Sequence, residues 1–279
     1  MNKLNKNALN NANKNFFLVI IKHILFSKLV FPIIFLFSRI IYKITFFHFK
    51  FSLINNKTVI GGPFKGLRYC EAKYASGPLL PRLLGTYEAE LHDTLYEFKN
   101  NKYEEIINVG AAEGYYTIGL SIFFPSTKIR AYEIDPIVFS YTNKMIKYNN
   151  KENQIELINK DALKDFQNIK LNQRLLIFVD CEGCEFEIFD KDITENFLSS
   201  DLIIEMHVKD LDTTILESNF FKTHHIQKVF GQNRKYLIEE YLGLDIRIKD
   251  FYELNELERF ERNSHHYFLI LRSKKANLG

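Results

Sequence analysis

Beyond Glu104 the chain alternates short apolar runs with longer amphipathic stretches. Ile106 to Val109, Lys128 to Tyr132, Ile155 to Asn159, Leu175 to Val179 and Leu202 to Glu205 have the length and β-branched or aromatic content of strands. Between them, apolar residues recur at helical spacing over Tyr115 to Phe123, Pro136 to Tyr148, a short Glu185 to Phe189, and Leu211 to Phe220. Such alternation predicts a parallel sheet covered by helices on both faces. Two further strands, His225 to Phe230 and Tyr267 to Leu271, flank a polar, charged insert. The expected fold class is α/β: a doubly wound, mostly parallel seven-stranded sheet with an N-terminal helical extension.

The first hundred residues have a different texture. Residues 1–15 are polar, rich in Asn and Lys, and are expected to be disordered. The apolar and basic segment 16–57 follows as a helical extension. Within it, Lys22, Lys28, Arg39 and Lys43 interrupt the apolar run, and the uncharged stretch from Leu29 to Ser38 is too short to cross a bilayer. At about 100° per residue the four cations form one stripe, and Pro32 is expected to kink or split the helix. Two roles fit equally: peripheral membrane contact through residues 16–47, or packing against the domain or a second subunit. Residues 58–100 read as a connecting cap, with tight turns from Gly61 to Tyr69. A helix is expected to start between Leu84 and Leu91, with Thr86 as its N-cap and Glu88 and Glu90 as solvated first-turn acids. Residues 101–279 form the main domain, and no internal repeat is apparent.

Composition narrows the function. A net charge of +3, and no basic stretch with interleaved aromatics, argue against a nucleic-acid partner. Three cysteines do not make a disulfide framework. Cys181-Glu-Gly-Cys184 has C-x-x-C spacing, but a zinc site usually shows a second such pair, and none is evident. No signal peptide is read, so the expected location is cytoplasmic, at the inner face of a membrane if the extension binds lipid.

The candidate chemistry gathers where strands end. In an open α/β sheet, ligands bind beyond the carboxyl ends of the strands, where strand order reverses. Those ends carry Gly110, Ala111, Glu113 and Gly114, then Glu133 and Asp135, Asp161, Asp180 with Glu182, and Glu205 with His207. A small-residue turn between strand and helix, with an acid about 20 residues further on, suits a nucleoside ligand whose ribose hydroxyls that acid accepts. The cofactor is then a nicotinamide dinucleotide or S-adenosylmethionine. Dinucleotide loops want Gly where this chain has Ala112 and Tyr115. Adenosylmethionine has no pyrophosphate to seat, so the looser G-x-A-x-G is acceptable.

Val109-Gly-Ala-Ala-Glu-Gly-Tyr115, Tyr132-Glu-Ile-Asp-Pro136 and Val179-Asp-Cys-Glu-Gly-Cys-Glu185 resemble the FkbM-like group of S-adenosylmethionine-dependent methyltransferases. The last matches a D-x-E-G-x-E signature, with both cysteines on variable positions. Gly62-Pro-Phe-Lys-Gly66 and Leu84-Gly-Thr-Tyr-Glu88 look like segments that precede the domain in some relatives. The resemblance runs from about Gly61 to Leu271. It implies a Rossmann-like fold in which Gly110, Ala111 and Gly114 face the methionine end of the cofactor and Glu133 holds the ribose. Asp161 and Ala162 would lie by the adenine, and Asp180 beneath the sulfonium. It also implies methyl transfer to oxygen, on a small-molecule or glycan hydroxyl; a lipid-linked sugar is suggested only by the apolar extension.

A hydroxyl needs a base. His207 is the first candidate because an imidazole titrates near neutrality, with Asp180 and Glu182 as substitutes. No metal site is assigned by spacing. Asp180, Glu182, Glu205 and His207 could nonetheless hold Mg2+ or Mn2+ if their strand ends converge. A nicotinamide-dependent oxidoreductase and an inactive methyltransferase-like binding protein are the competing readings. His265 and His266 read as a polar strand start, and the oligomeric state is not legible.

Overall fold

The computed structural model describes residues 32–45, 48, 52, 55–71, 79–167, 169, 173–189, 194–207, 214–231 and 266–275. The expected tail, Lys22 and Lys28, and the insert with His265 lie outside them. The chain divides into two units, Met1–Asn55 and Asn56–Gly279. In the first, helix α1 covers 32–45, with Pro32 at its described start.

In the second unit the elements run α2 (Leu79–Leu84), α3 (His92–Phe98), β1 (Glu105–Val109), α4 (Tyr115–Phe123), β2 (Lys128–Tyr132), α5 (Pro136–Tyr148), β3 (Ile155–Ile158), α6 (Leu163–Phe166), β4 (Leu175–Val179), α7 (Glu185–Ile188), β5 (Asp201–His207), α8 (Thr214–Phe220), β6 (His224–Phe230) and β7 (His266–Ser273). They build one seven-stranded sheet in the order β3-β2-β1-β4-β5-β7-β6. The first five strands are parallel, and β7 runs antiparallel between β5 and β6. The expected doubly wound, mostly parallel sheet is what forms. Strand order reverses between β1 and β4, and the ends of those two strands flank the crevice where such sheets bind ligands.

Burial explains why the strands were readable. All five residues of β4 are buried, as are the last four of β1, because helices cover both faces. On one face Phe166, Phe189, Phe197 and Phe220 meet edge to face or tilted, with ring centroids 5.5 to 6.3 Å apart. Each such ring contributes about 1.5–3 kcal/mol by leaving water. Helix α5 starts at Pro136 because Asp135 caps it: its Oδ1 accepts from the N–H groups of Ile137 (2.7 Å) and Val138 (3.1 Å). The polar Asn108, wholly buried in β1, is satisfied by Thr117 on α4, whose hydroxyl donates at 2.6 Å. That bond fixes α4 against β1.

At the amino ends of the strands, Asp201 is buried and fully engaged. It accepts from Tyr103, Asn101, Arg174 and the Ser273 N–H at 2.6 to 3.0 Å. Four donors on one carboxylate mark a structural acid that ties β5, β7 and the entry to β1 together.

The cap packs as part of this unit. Thr58 and Arg68 pair antiparallel around the expected tight turns. Gly85 lies so close to Gly61 that a Cβ would stand 2.1 Å from the Gly61 carbonyl oxygen. Phe64 lies on α4 at Gly119, where a Cβ would come within 2.4 Å of the ring. The helix expected to start between Leu84 and Leu91 begins only at the end of that range. Gly85 in the left-handed region stops α2, Thr86 folds back onto the Pro81 carbonyl through its own N–H (2.9 Å), and a 3-10 turn at Ala89–Leu91 leads into α3. Thr86 is therefore no N-cap. Glu88 and Glu90 are buried, where first-turn acids would be solvated.

Candidate active site

A cavity of about 780 Å³ opens at the carboxyl ends of the strands. That lies inside the usual 300–1,000 Å³ of small-molecule sites. Gly110 and Asp180, from the ends of β1 and β4, line it. Towards β2 and β3 the wall is Tyr132, Glu133, Ile134, Lys160, Asp161, Ala162 and Leu163. Towards β4 and β5 it is Cys181, Glu182, Cys184, Glu187, Ile188 and Glu205, and the cap adds Arg82, Tyr87 and Glu88.

The turn after β1 is shaped by close contact. Gly110 has φ +80°, and a Cβ there would stand 1.7 Å from the Asp180 carbonyl oxygen, so only glycine fits. The N–H groups of this turn are engaged internally rather than presented to a ligand. Those of Gly110 and Ala111 donate to the Tyr132 carbonyl at 3.1 and 2.9 Å, and that of Ala112 donates to Glu133 Oε2 at 2.9 Å. Ala112 itself sits at φ +44°. What the turn offers the cavity is the bare backbone surface of Gly110 and Ala112.

Glu133 is the best-held acid of the β2 end. Its two oxygens accept from the Ala112 and Asp135 N–H groups at 2.9 Å each, while the residue stays 9% exposed at the cavity wall. An ionised carboxylate has about four acceptor sites, so two bonds leave capacity for a pair of ligand hydroxyls. Asp161 accepts from the Leu163 N–H at 2.9 Å at the start of α6, and Ala162 is beside it on the wall.

Of the predicted site residues, Gly110, Glu133, Asp161, Ala162, Asp180 and Glu182 face this one cavity. Four others do not line it. Ala111 is buried behind the turn. Gly114, at φ +96°, starts α4 close to Ile118 and Thr142. Asp135 is the α5 cap, and Glu113 is 1% exposed and ion-paired with Arg82. His207 ends β5, its backbone in register with His266, and its side chain lies outside the described residues.

From the cap, Arg82, Tyr87 and Glu88 join the wall without having been predicted as site residues. Their signal was the Leu84-Gly-Thr-Tyr-Glu88 segment, since a glycine before Thr-Tyr-Glu permits the φ of +78° that turns the chain back to the site. Arg82 stacks over Tyr87 (4.4 Å) and Tyr115 (5.4 Å). Burial works against its charge, but the Glu113 carboxylate, with Tyr69 and Tyr87, holds its pKa well above the usual value. Glu88, at φ +49°, accepts from the Tyr116 hydroxyl.

Glu205 was read only as a strand-end acid and cation ligand, and the structure gives it more. It is 7% exposed and faces Glu88, Asp180 and Glu182. Burial first, then the charges of Glu88, Asp180 and Glu182, and a hydrogen bond to Asp180, push its pKa well above the ordinary carboxylate range. Asp180 and Glu205 are thus hydrogen-bonded to each other on the cavity wall. Among the described residues no group of three or more His, Cys, Asp and Glu is arranged to hold a metal ion. Asp180, Glu182 and Glu205 are not so arranged, and His207, the fourth expected ligand, has its side chain outside the described residues. Cys181 and Cys184 form a disulfide on the cavity wall, where no pairing was expected, because the turn brings their Cα atoms to 5.6 Å, within bridging range.

No family model matches the chain, and no curated protein matches it. Solved structures do resemble its fold. An O-methyltransferase from Bacillus cereus in complex with S-adenosylhomocysteine aligns at 12% identity, over 68% of this chain and 82% of that one, with a TM-score of 0.44. TrmK of M. capricolum, with the same product bound, aligns at 14%, over 65% and 68%, at 0.42. Aeropyrum pernix fibrillarin with natively bound S-adenosyl-L-methionine aligns at 14%, over 61% and 67%, at 0.39. Such values concern the fold and add nothing about this chain's chemistry.

Proposed function

We propose that the chain is an S-adenosylmethionine-dependent methyltransferase acting on a hydroxyl oxygen. One observation carries the reading: at the reversal of strand order, a glycine that admits no side chain and a buried-edge acid that clamps the same turn both open onto one cavity. The donor set suits adenosylmethionine. Gly110 and Ala112 give a bare surface for its amino-acid tail, Glu133 has acceptor capacity for both ribose hydroxyls, and Asp161 with Ile134, Ala162 and Leu163 flanks the place of the adenine. Asp180, at the end of β4 on the same wall, would lie by the sulfonium charge. The same surface suits a pyrophosphate poorly, because the Gly110 to Ala112 N–H groups already have partners.

Bound there, adenosylmethionine would supply an electrophilic methyl group. The protein's part is to hold the acceptor oxygen in line with it and to take up the hydroxyl proton. Asp180 and Glu205 are placed for the second task. Burial and the neighbouring acids raise the proton affinity of Glu205, so its carboxylate, once ionised, is a stronger base than a solvated one. The wall on that side, with Tyr87, Glu88, Glu182 and Glu187, is rich in hydrogen-bond acceptors, which favours an acceptor bearing several hydroxyls, such as a carbohydrate.

Calorimetry with adenosylmethionine, adenosylhomocysteine and NAD tests the cofactor assignment. Binding of the first two is expected, and binding of NAD alone would overturn it. Radiolabelled methyl transfer to glycan and glycolipid extracts then identifies the acceptor class. Label recovered only on protein or nucleic acid would refute the carbohydrate assignment.

A further inference from the structure

We propose that α1 lies in the headgroup layer of an anionic lipid surface, with Arg39 and Lys43 on lipid phosphates. The proposal is independent of the methyltransferase reading. Over 32–45 the helix carries Arg39 and Lys43 and no acid. The two cations are four residues apart and share a face. At about 100° per residue, Leu36, Ile40, Ile33, Ile44, Phe37, Ile41 and Ile34 fill a continuous arc of about 160°. Their side chains are open to solvent, from 45% for Ile40 to 61% for Phe37. An apolar arc of that width needs a cover.

Three features choose lipid over protein. The two aliphatic hydroxyls of the helix are turned onto its backbone: Ser38 donates to the Phe35 carbonyl at 2.8 Å, and Thr45 to those of Ile41 and Tyr42 at 3.0 and 2.9 Å. Helices in lipid satisfy hydroxyls in this way. The Arg39 guanidinium lies 5.8 Å over the Phe35 ring, so its stem follows apolar surface while its head reaches the helix flank, the snorkelling posture of interfacial cations. A second copy of α1 would bring cations against cations with no carboxylate in 32–45 to answer them, whereas anionic headgroups complement both. Among the described residues no helix is long and apolar enough to cross a membrane. As described, α1 spans about 21 Å, against a hydrocarbon core of about 30 Å.

The test is flotation of the full chain with phosphatidylcholine vesicles and with vesicles of phosphatidylcholine and phosphatidylglycerol. The chain is expected to float with the anionic vesicles. Leu36→Glu with Ile40→Glu should lower partitioning more than tenfold, roughly the effect of withholding two large apolar side chains. Arg39→Ser with Lys43→Ser should lower the preference for anionic over neutral vesicles by roughly fivefold per cation. Since α1 belongs to a unit of its own, both variants should keep the thermal midpoint of the sheet unit. The proposal is overturned if the chain floats with neither vesicle, or if the double-Glu variant floats like the native chain. A lipid-free dimer in sedimentation velocity that the double-Glu variant dissolves would show instead that a second copy covers the arc.

Discussion

Replacing Arg82 by Met tests how the cap and the turn after β1 hold each other. The side chains of Arg82 and Glu113 are 5% and 2% exposed, and each is the other's ion-pair partner. Met conserves much of the apolar volume but removes the cation paired with the buried Glu113 carboxylate. Removing one partner of a buried pair costs about 3–5 kcal/mol, mainly for the orphaned charge. Loss of the stacking over Tyr87 and Tyr115 adds about 0.5–2 kcal/mol. For a unit of this size each kcal/mol lowers the thermal midpoint by about 2–4 °C, so the ion pair alone predicts a drop of about 6–20 °C. Adding Glu113→Gln removes the stranded charge and should bring the double variant back to within about 2 kcal/mol of the native protein. Urea unfolding of all four proteins gives the coupling directly. A single variant that costs less than about 1 kcal/mol, or a double variant as unstable as the two single losses added together, would refute the reasoning.

Glu133→Ala removes the acceptor of the Ala112 N–H and the proposed ribose contacts; calorimetry should show adenosylhomocysteine affinity falling by about tenfold to a hundredfold, at 1.5–3 kcal/mol per charged hydrogen bond. Glu205 has a folded-state pKa above its ordinary value of 4.5, so the stability linked to its protonated form is full below that value and is lost as pH rises through the folded one. Glu205→Gln should therefore gain in urea midpoint relative to the native protein as pH increases, while methyl transfer falls; a gap that narrows with pH would contradict the assignment. Thiol labelling of the unfolded, unreduced chain should modify Cys70 alone, and reduction should raise the count to all three cysteines.

Legibility followed physical locality. The parallel strands were readable because burial on both faces makes them continuous apolar runs, as in Leu175–Val179. Helix α5 was readable to the residue because Asp135 and Pro136 carry its start signal within the local sequence. The short helices Leu79–Leu84 and Leu163–Phe166 were not, since four to six residues hold little periodicity, although the equally short Glu185–Ile188 was. At the site, residues that close strands could be placed from sequence, because topology alone brings strand ends together. Glu113 and Glu88 could not. Their surroundings are made by Arg82 and Tyr116, partners 31 and 28 positions away, and nothing in the local pattern separates them from solvated acids. The Cys181–Cys184 bond depends likewise on how the turn after β4 folds.

The glycine contacts of the cap have a consequence for where this protein can be cut. Gly61 against Gly85, and Phe64 seated on Gly119, weld residues far apart in sequence into one block. A fragment beginning at the first strand would keep every hydrogen bond of the sheet, yet it would lose Arg82, Tyr87 and Glu88 and lay bare the groove on α4 that Phe64 fills. The smallest piece that keeps the whole cavity wall therefore has to begin upstream of Thr58, well before the first strand of the sheet.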